Sequence, residues 1–215
     1  MKLHLGCGEQ YLEGYENIDF PSHSHSVQMK CVADLQADIL GLQYAPQSIE
    51  EVRLHHVYEH FPRPIACALL VSWYSWLNQG GFLHIEVPDF QKTALVMLRS
   101  YSSFKKQAVA ERHLFGSHEA RWAGHCEGYT PKTLKKMLEY FGFEVIKTQY
   151  NAWSGTYNFE MFAAKTVNNI SKNEFKNITK NYLKNYLLDD GVSETRLLEV
   201  WMEIFTSQLE KGWAQ

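Results

Sequence analysis

The stretch LHHVYEHF, residues 54–61, concentrates more reactive side chains than any other part of the chain. Counted along a helix from His56, Glu59 and His60 fall three and four residues on, where side chains are neighbours on one face. Such a trio has two chemical uses. Histidine titrates near neutral pH, so His56 or His60 can accept a proton from a reacting group while Glu59 orients the ring. The same donors can instead hold a divalent cation, which lowers the pKa of a bound hydroxyl and makes it a better nucleophile. A purely structural use competes with both, in which Glu59 and His60 cap and pair at a helix start.

The second group of interest lies at the beginning, in MKLHLGCGEQYLEGYENIDF. Gly6 and Gly8 stand where a first apolar strand ends, and glycine there lets the backbone approach a ligand closely. In an open α/β sheet, ligands sit outside the carboxyl ends of the strands, near the switch in strand order. Asp19 closes the next strand, where a carboxylate can accept from both hydroxyls of a ribose. A dinucleotide fingerprint would need a third glycine at position 11, which is Tyr11. Only Glu9 to Gly14 separate Gly8 from that second strand, whereas a parallel crossover normally takes a dozen or more residues. The first helix is therefore expected to be missing or reduced to a turn. A helix N-terminus cannot then be the main anion holder, which counts against a pyrophosphate ligand.

Composition bounds the rest. The chain has 215 residues, 45% of them hydrophobic and 14% aromatic, enough for one sizeable domain with appendages. A net charge of −3 with no basic block gives no reason to expect nucleic-acid binding. Four cysteines without a CxxC pair predict neither a zinc ribbon nor a disulfide framework. No segment has the roughly 18 apolar residues of a membrane span, and no charged leader precedes an apolar run. The expectation is a reduced, cytoplasmic protein.

Strands are predicted at about Lys2–Leu5, Tyr15–Ile18, Met29–Ala33, Glu51–His56, Phe82–Val87, Phe143–Tyr150 and Asn158–Lys165. PRPIACALLVSWYSWLNQGG reads as a helix with prolines at its start and Gly80-Gly81 past its end. TPKTLKKMLEYFG reads as a second, with Thr130 as N-cap, Pro131 at the first position and Gly142 as C-cap. Gln91 to Gly128 forms a long insertion, partly helical and rich in His, Arg and Trp. Beyond Thr166, two amphipathic helices follow, either packed on the domain or serving a homodimer. The divisions are 1–166 for the main domain, with 91–128 as a lid over the acceptor site, and 167–215 for a helical extension.

In their order along the chain, these motifs resemble the class I S-adenosylmethionine (SAM)-dependent methyltransferases over about Lys2 to Lys165. LHLGCG looks like the methionine-binding first motif, and NID is similar to the ribose-binding end of the second strand. ADILGLQYAPQSIEEVRLHHVYEHF resembles the run from an acidic residue through an LPF-like turn to the fourth strand and an EH motif. LNQGGFLHIEVPDF matches the pattern of the fifth strand, and GYTPKTLKKMLEYFGFEVI looks like the late helix and sixth strand. Gln43 and Tyr44 depart from the LPF-like turn.

The resemblance implies an α/β, Rossmann-like fold with a seven-stranded, mostly parallel sheet. It implies SAM as cofactor, with Gly6, Cys7 and Gly8 facing the methionine part and Asp19 holding the ribose. Asp38 and the Ile39 backbone would meet the adenine. Asp34 competes for that place, but Asp38 has the better spacing to Leu42. Backbone around His55 and His56 would accept from the SAM ammonium. The HxxEH order also matches inverted zinc proteases, but that motif sits within a long helix and this one begins at a strand end. A closer likeness is the ExxEH cation site of the small-RNA 2′-O-methyltransferases and the ubiquinone-pathway O-methyltransferases, with His56 in place of the first Glu. The implied activity is methyl transfer, expected at oxygen, to a small-molecule or saccharide acceptor. Its catalytic candidates are His56, Glu59, His60, Asp89 and His125. In the insertion, Arg121 would suit a carboxylate or phosphate on the acceptor, Trp122 a sugar or aromatic face, with His118 and Tyr129 nearby. The alternative is a module that binds SAM or a partner without catalysis.

Overall fold

The strand order of the central sheet follows from how its crossovers are built. A computed structural model of the 215-residue chain describes residues 1–21, 24, 27–153, 155–166 and 170–213. Its strands are β1 (Lys2–Leu5), β2 (Glu16–Asp19), β3 (Leu35–Gln36), β4 (Ile49–His55), β5 (Leu77–Pro88), β6 (Phe143–Trp153) and β7 (Thr156–Lys165). They form one sheet in the order β3-β2-β1-β4-β5-β7-β6. The first five run parallel, and β7 is antiparallel to both β5 and β6.

The helices are α1 (Arg63–Trp76), α2 (Phe90–Leu98), α3 (Phe104–Phe115), α4 (Pro131–Tyr140), α5 (Lys172–Lys184) and α6 (Val192–Gly212). Helix α4 begins as its sequence predicts, with Thr130 and Thr133 forming a reciprocal cap and Pro131 in the first turn. Helix α1 is apolar nearly all round and is the buried centre of the protein, with Trp73 and Trp76 almost fully enclosed. It ends at Trp76, and β5 starts at once at Leu77, earlier than the predicted Phe82. The predicted insertion resolves into α2, α3 and a 3-10 turn at Arg121–Ala123.

One predicted strand is corrected. The third strand is Leu35–Gln36 and not Met29–Ala33, and Met29 is 91% exposed. Its partner β2 fixes this position through Asn17, whose backbone N–H and side chain both donate to Asp34 Oδ2, at 2.9 and 3.0 Å. The Asn17 side chain also accepts from Leu12 N and donates to the Leu12 carbonyl. Fully buried, it stitches together a first crossover that has no helix.

Right-handed crossovers put the β1→β2 and β2→β3 connections on one face of the sheet and β4→β5 on the other. Neither of the first two contains an α-helix among the described residues. The α1 face is thick. Leu3, Leu5, Leu54 and Leu83 share one core there with α1, α4, α5 and α6. Helix α6 lies along α1 and against the 3-10 turn Ile39–Gly41, held by Gln208 Nε2 to the Leu40 carbonyl at 2.8 Å and Trp76 Nε1 to the Gly212 carbonyl at 3.1 Å. The opposite face carries Glu51, Arg53 and His55 of β4, His84 and Glu86 of β5 and Glu160 of β7. These residues alternate with the buried Val52, Leu54, Leu83, Ile85 and Met161.

Candidate functional site

A cavity of about 440 Å³ opens at the carboxyl ends of β1, β2 and β4, within the usual size for a small-molecule site. Its floor is Gly6 and Gly8, its polar edge Asp19 and Asp38, and one wall is Phe20 with Trp122. His56, Val57, His60, Phe61, Pro62 and Ile65 close the side next to α1, and Ala37, Ile39 and Leu40 the other.

The floor is held from below. The N–H groups of Gly6 and Cys7 both donate to the Ile18 carbonyl, at 2.8 and 3.1 Å. Asp19 is nearly buried, and its Oδ2 accepts from Gly8 N while Oδ1 accepts from Phe20 N, both at 2.8 Å. Gly6 has φ +68°, and a Cβ there would come within 2.2 Å of Val57 Cγ2, so the position requires glycine. Asp38 both lines the cavity and caps the following turn, its Oδ1 accepting from Leu40 N at 2.9 Å. Asp34 is committed to Asn17, whose backbone N–H holds its carboxyl below the usual range.

Cys7 and His55 do not reach the cavity with their side chains. Cys7 is buried, and burial pushes its thiol up to about 12, which leaves it unreactive. The His55 ring belongs to the polar sheet face, beside His84 and His4. Asp89 is also placed otherwise, as the buried N-cap of α2 with Oδ1 accepting from Lys92 N at 3.0 Å. Tyr129 stacks on Tyr58 in the core, and the exposed His118 contacts its local Phe115 carbonyl.

His56 has the left-handed φ of +53°, a strained value for a residue with a Cβ. Its Nδ1 lies 3.3 Å from Glu59 Oε1 and its Nε2 3.2 Å from Glu86 Oε1. Burial alone would push His56 down, but Glu59 and Glu86 together raise it to about 10. At neutral pH the ring is an imidazolium with no lone pair to offer. Glu86 was not singled out from the sequence. Its signal lay in the alternation of β5, which sets it on the same face as His84, and its register opposite His55 brings it to His56.

That pairing has a measurable consequence. A folded pKa near 10 against 6.5 for the free residue means a stabilisation complete below pH 6.5 and lost as pH rises through about 10. His56→Gln should be destabilised in urea at pH 7, with the deficit shrinking towards pH 10. A deficit constant across that range would mean that His56 is not charged.

Glu59 is 1% exposed; its Oε1 faces the His56 imidazolium at 3.3 Å, and its Oε2 has no hydrogen-bond partner. Burial would raise its pKa, but His56, His60 and His125 hold it below the usual value. His60 Nδ1 donates to the Gly124 carbonyl at 3.2 Å and His125 Nδ1 to the Leu114 carbonyl at 3.1 Å. These bonds fix the tautomers and leave both Nε2 atoms with free lone pairs. The His125 Nε2 lies 3.9 Å from Glu59 Oε1. Glu59, His60 and His125 offer ligand atoms within 4.8 Å of one another. The segment that supplies His125 is pinned, with Cys126 N and Glu127 N donating to the Glu59 carbonyl and Arg63 paired to Glu127 at 2.9 Å. A bridge between Gly116 and Gly124 closes its loop. This segment is thus fastened to the Glu59 backbone, and Trp122 beside it lines the cavity wall.

No family model matches the chain, and no curated protein matches it. Solved structures do. A SAM-dependent methyltransferase from Methanosarcina mazei is 16% identical, with a TM-score of 0.51 over 77% of this chain and 92% of that one. The Burkholderia thailandensis 1,6-didemethyltoxoflavin-N1-methyltransferase, solved with 1,6-didemethyltoxoflavin and S-adenosylhomocysteine, is 14% identical, with a TM-score of 0.52 over 77% and 71%. An S-adenosylmethionine-dependent methyltransferase from Mesorhizobium loti is 11% identical, with a TM-score of 0.51 over 76% and 90%. The chain therefore has the Rossmann-like fold of the class I SAM-dependent methyltransferases, with the helices of its first two crossovers absent from the described residues.

Proposed function

We propose that the protein is a SAM-dependent methyltransferase that methylates a hydroxyl oxygen of a small acceptor, saccharides included. The observation that carries this reading is the pairing of the Gly6–Gly8 turn with Asp19 at the mouth of a cavity of suitable size. Asp19 would hold the ribose hydroxyls, Asp38 and the Ile39 backbone the adenine edge, and Gly6 and Gly8 would admit the methionine part. SAM supplies an electrophilic methyl group on a sulfonium, and it has no phosphate, so the absent first helix is no loss. The work left to the chain is to align the acceptor and exclude water. Phe20, Trp122, Phe61 and Ile65 supply apolar walls for that purpose.

His60 lines the cavity with its Nδ1–H engaged, so its Nε2 is the group placed to take the acceptor's proton. His56, held as an imidazolium, is a positioning residue that fixes Glu59 and Glu86. The donor set of Glu59, His60 and His125 also fits a divalent cation, because the Glu59 carboxylate is buried and its Oε2 has no hydrogen-bond partner. A cation there would lower the pKa of an acceptor hydroxyl. Methyl transfer to a panel of hydroxyl acceptors tests the reading. His60→Ala should lower kcat by about 10²–10³-fold while binding of S-adenosylhomocysteine persists. Binding without turnover on any acceptor would instead favour the non-catalytic module.

A further inference from the structure

The polar face of the sheet holds a second cluster, away from the cavity. His55 on β4, His84 on β5 and Glu160 on β7 come from three adjacent strands. In the register, His55 stands opposite Glu86 and Glu86 opposite Glu160, with His84 one same-face step away. His55 Nε2 is 3.5 Å from Glu160 Oε1, and His84 Nε2 is hydrogen-bonded to that same oxygen. All three ligand atoms lie within 4.8 Å of one another.

We propose that His55, His84 and Glu160 bind a divalent transition-metal ion of the zinc type, clamping three strands on the polar face of the sheet. Two imidazoles and one carboxylate are a donor set that such ions accept, with a further position left for water. Bonds of about 2.1 Å in a tetrahedron set ligand atoms about 3.4 Å apart, close to the His55–Glu160 spacing, while the His84–Glu160 hydrogen bond would have to open to admit the ion.

An independent observation points the same way. His84 is 2% exposed, and its Nδ1 is a buried polar atom with no hydrogen-bond partner. Glu51 Oε1 lies 3.8 Å from it, beyond hydrogen-bond reach. With Nε2 as a ligand, the ring would carry its proton on Nδ1, and Glu51, moving closer from 3.8 Å, would accept that hydrogen bond. Ligating histidines usually make this outer contact. Glu51 is itself braced by Lys2 at 3.7 Å.

Arg53 is the competitor. Its Nε donates to His55 Nε2 at 3.0 Å, and its Nη2 lies 3.8 Å from Glu160 Oε1. Without metal, the guanidinium supplies the positive charge on this carboxylate; with metal it must swing aside. Because His55 Nε2 accepts from Arg53, it carries a lone pair, the one a metal would take.

The test is the number of Co²⁺ ions bound per chain by the full-length protein after chelator treatment, read by equilibrium dialysis and visible absorption. Glu160→Gln and His55→Asn should each bind one ion fewer than wild type. His125→Ala should retain that ion, and Arg53→Gln should bind it at least as tightly. The proposal is overturned if wild type binds no Co²⁺, or if Glu160→Gln and His55→Asn bind as many ions as wild type. Circular dichroism of each metal-free variant confirms that it is folded, and using two variants guards against one that is not. Because the cluster is separate from the cavity, this result does not depend on whether SAM binds.

Discussion

Asp19→Asn should weaken binding of S-adenosylhomocysteine by at least about 100-fold, the largest loss expected from any conservative change in the cavity. Asp19 already has one job in the structure. Its Oδ2 holds Gly8 N and its Oδ1 holds Phe20 N, so the carboxylate fixes both the glycine floor and the start of the aromatic wall. It would also accept from two ribose hydroxyls, and hydrogen bonds to a charged group contribute about 1.5–3 kcal/mol each. Losing the charge weakens both bonds, and one amide position can only donate. Calorimetry with S-adenosylhomocysteine measures the change. An affinity within a few-fold of wild type would remove Asp19 from the ribose site.

Gly6→Ala should destabilise the fold by about 2–5 kcal/mol and abolish ligand binding as well. The left-handed backbone at φ +68° costs a residue with a Cβ about 1–2 kcal/mol. The new methyl would meet Val57 Cγ2 at 2.2 Å, and overpacking of this kind costs about 1–3 kcal/mol more. Val57 follows His56, whose own backbone is strained, so it has little freedom to retreat. The two costs separate in a double variant. Adding Val57→Ala removes the clash and leaves the backbone strain, so about half of the lost stability should return in urea unfolding. Full recovery would mean that the backbone strain is negligible; no recovery would mean that the clash never forms.

Much of the frame was legible because its signals are local. The Thr130-Pro131 cap, the short first crossover and the glycine turn before Asp19 depend on residues close in sequence. The third strand was misplaced because it is two exposed residues with no hydrophobic alternation, positioned by the side chain of Asn17 reaching Asp34. His56 stood beside His60 as a candidate base or ligand because its spacing to Glu59 was visible, whereas its pairing with Glu86, thirty residues on, was not. That contact depends on the register of β4 with β5. Trp122 was visible in the insertion but Phe20 was not, since the two meet only after the insertion is fastened to the Glu59 backbone. Asp89 illustrates the reverse error, a residue with the right neighbours in sequence whose carboxylate caps a helix.

The central claim is that a glycine turn without its helix still builds a site for a ligand that carries ribose and no pyrophosphate. Parallel calorimetric titrations of the full-length wild-type protein with S-adenosylhomocysteine and with NAD⁺ test it most directly. The account predicts one S-adenosylhomocysteine bound per chain and no heat of binding from NAD⁺. Saturable binding of NAD⁺, or no binding of S-adenosylhomocysteine, would contradict it.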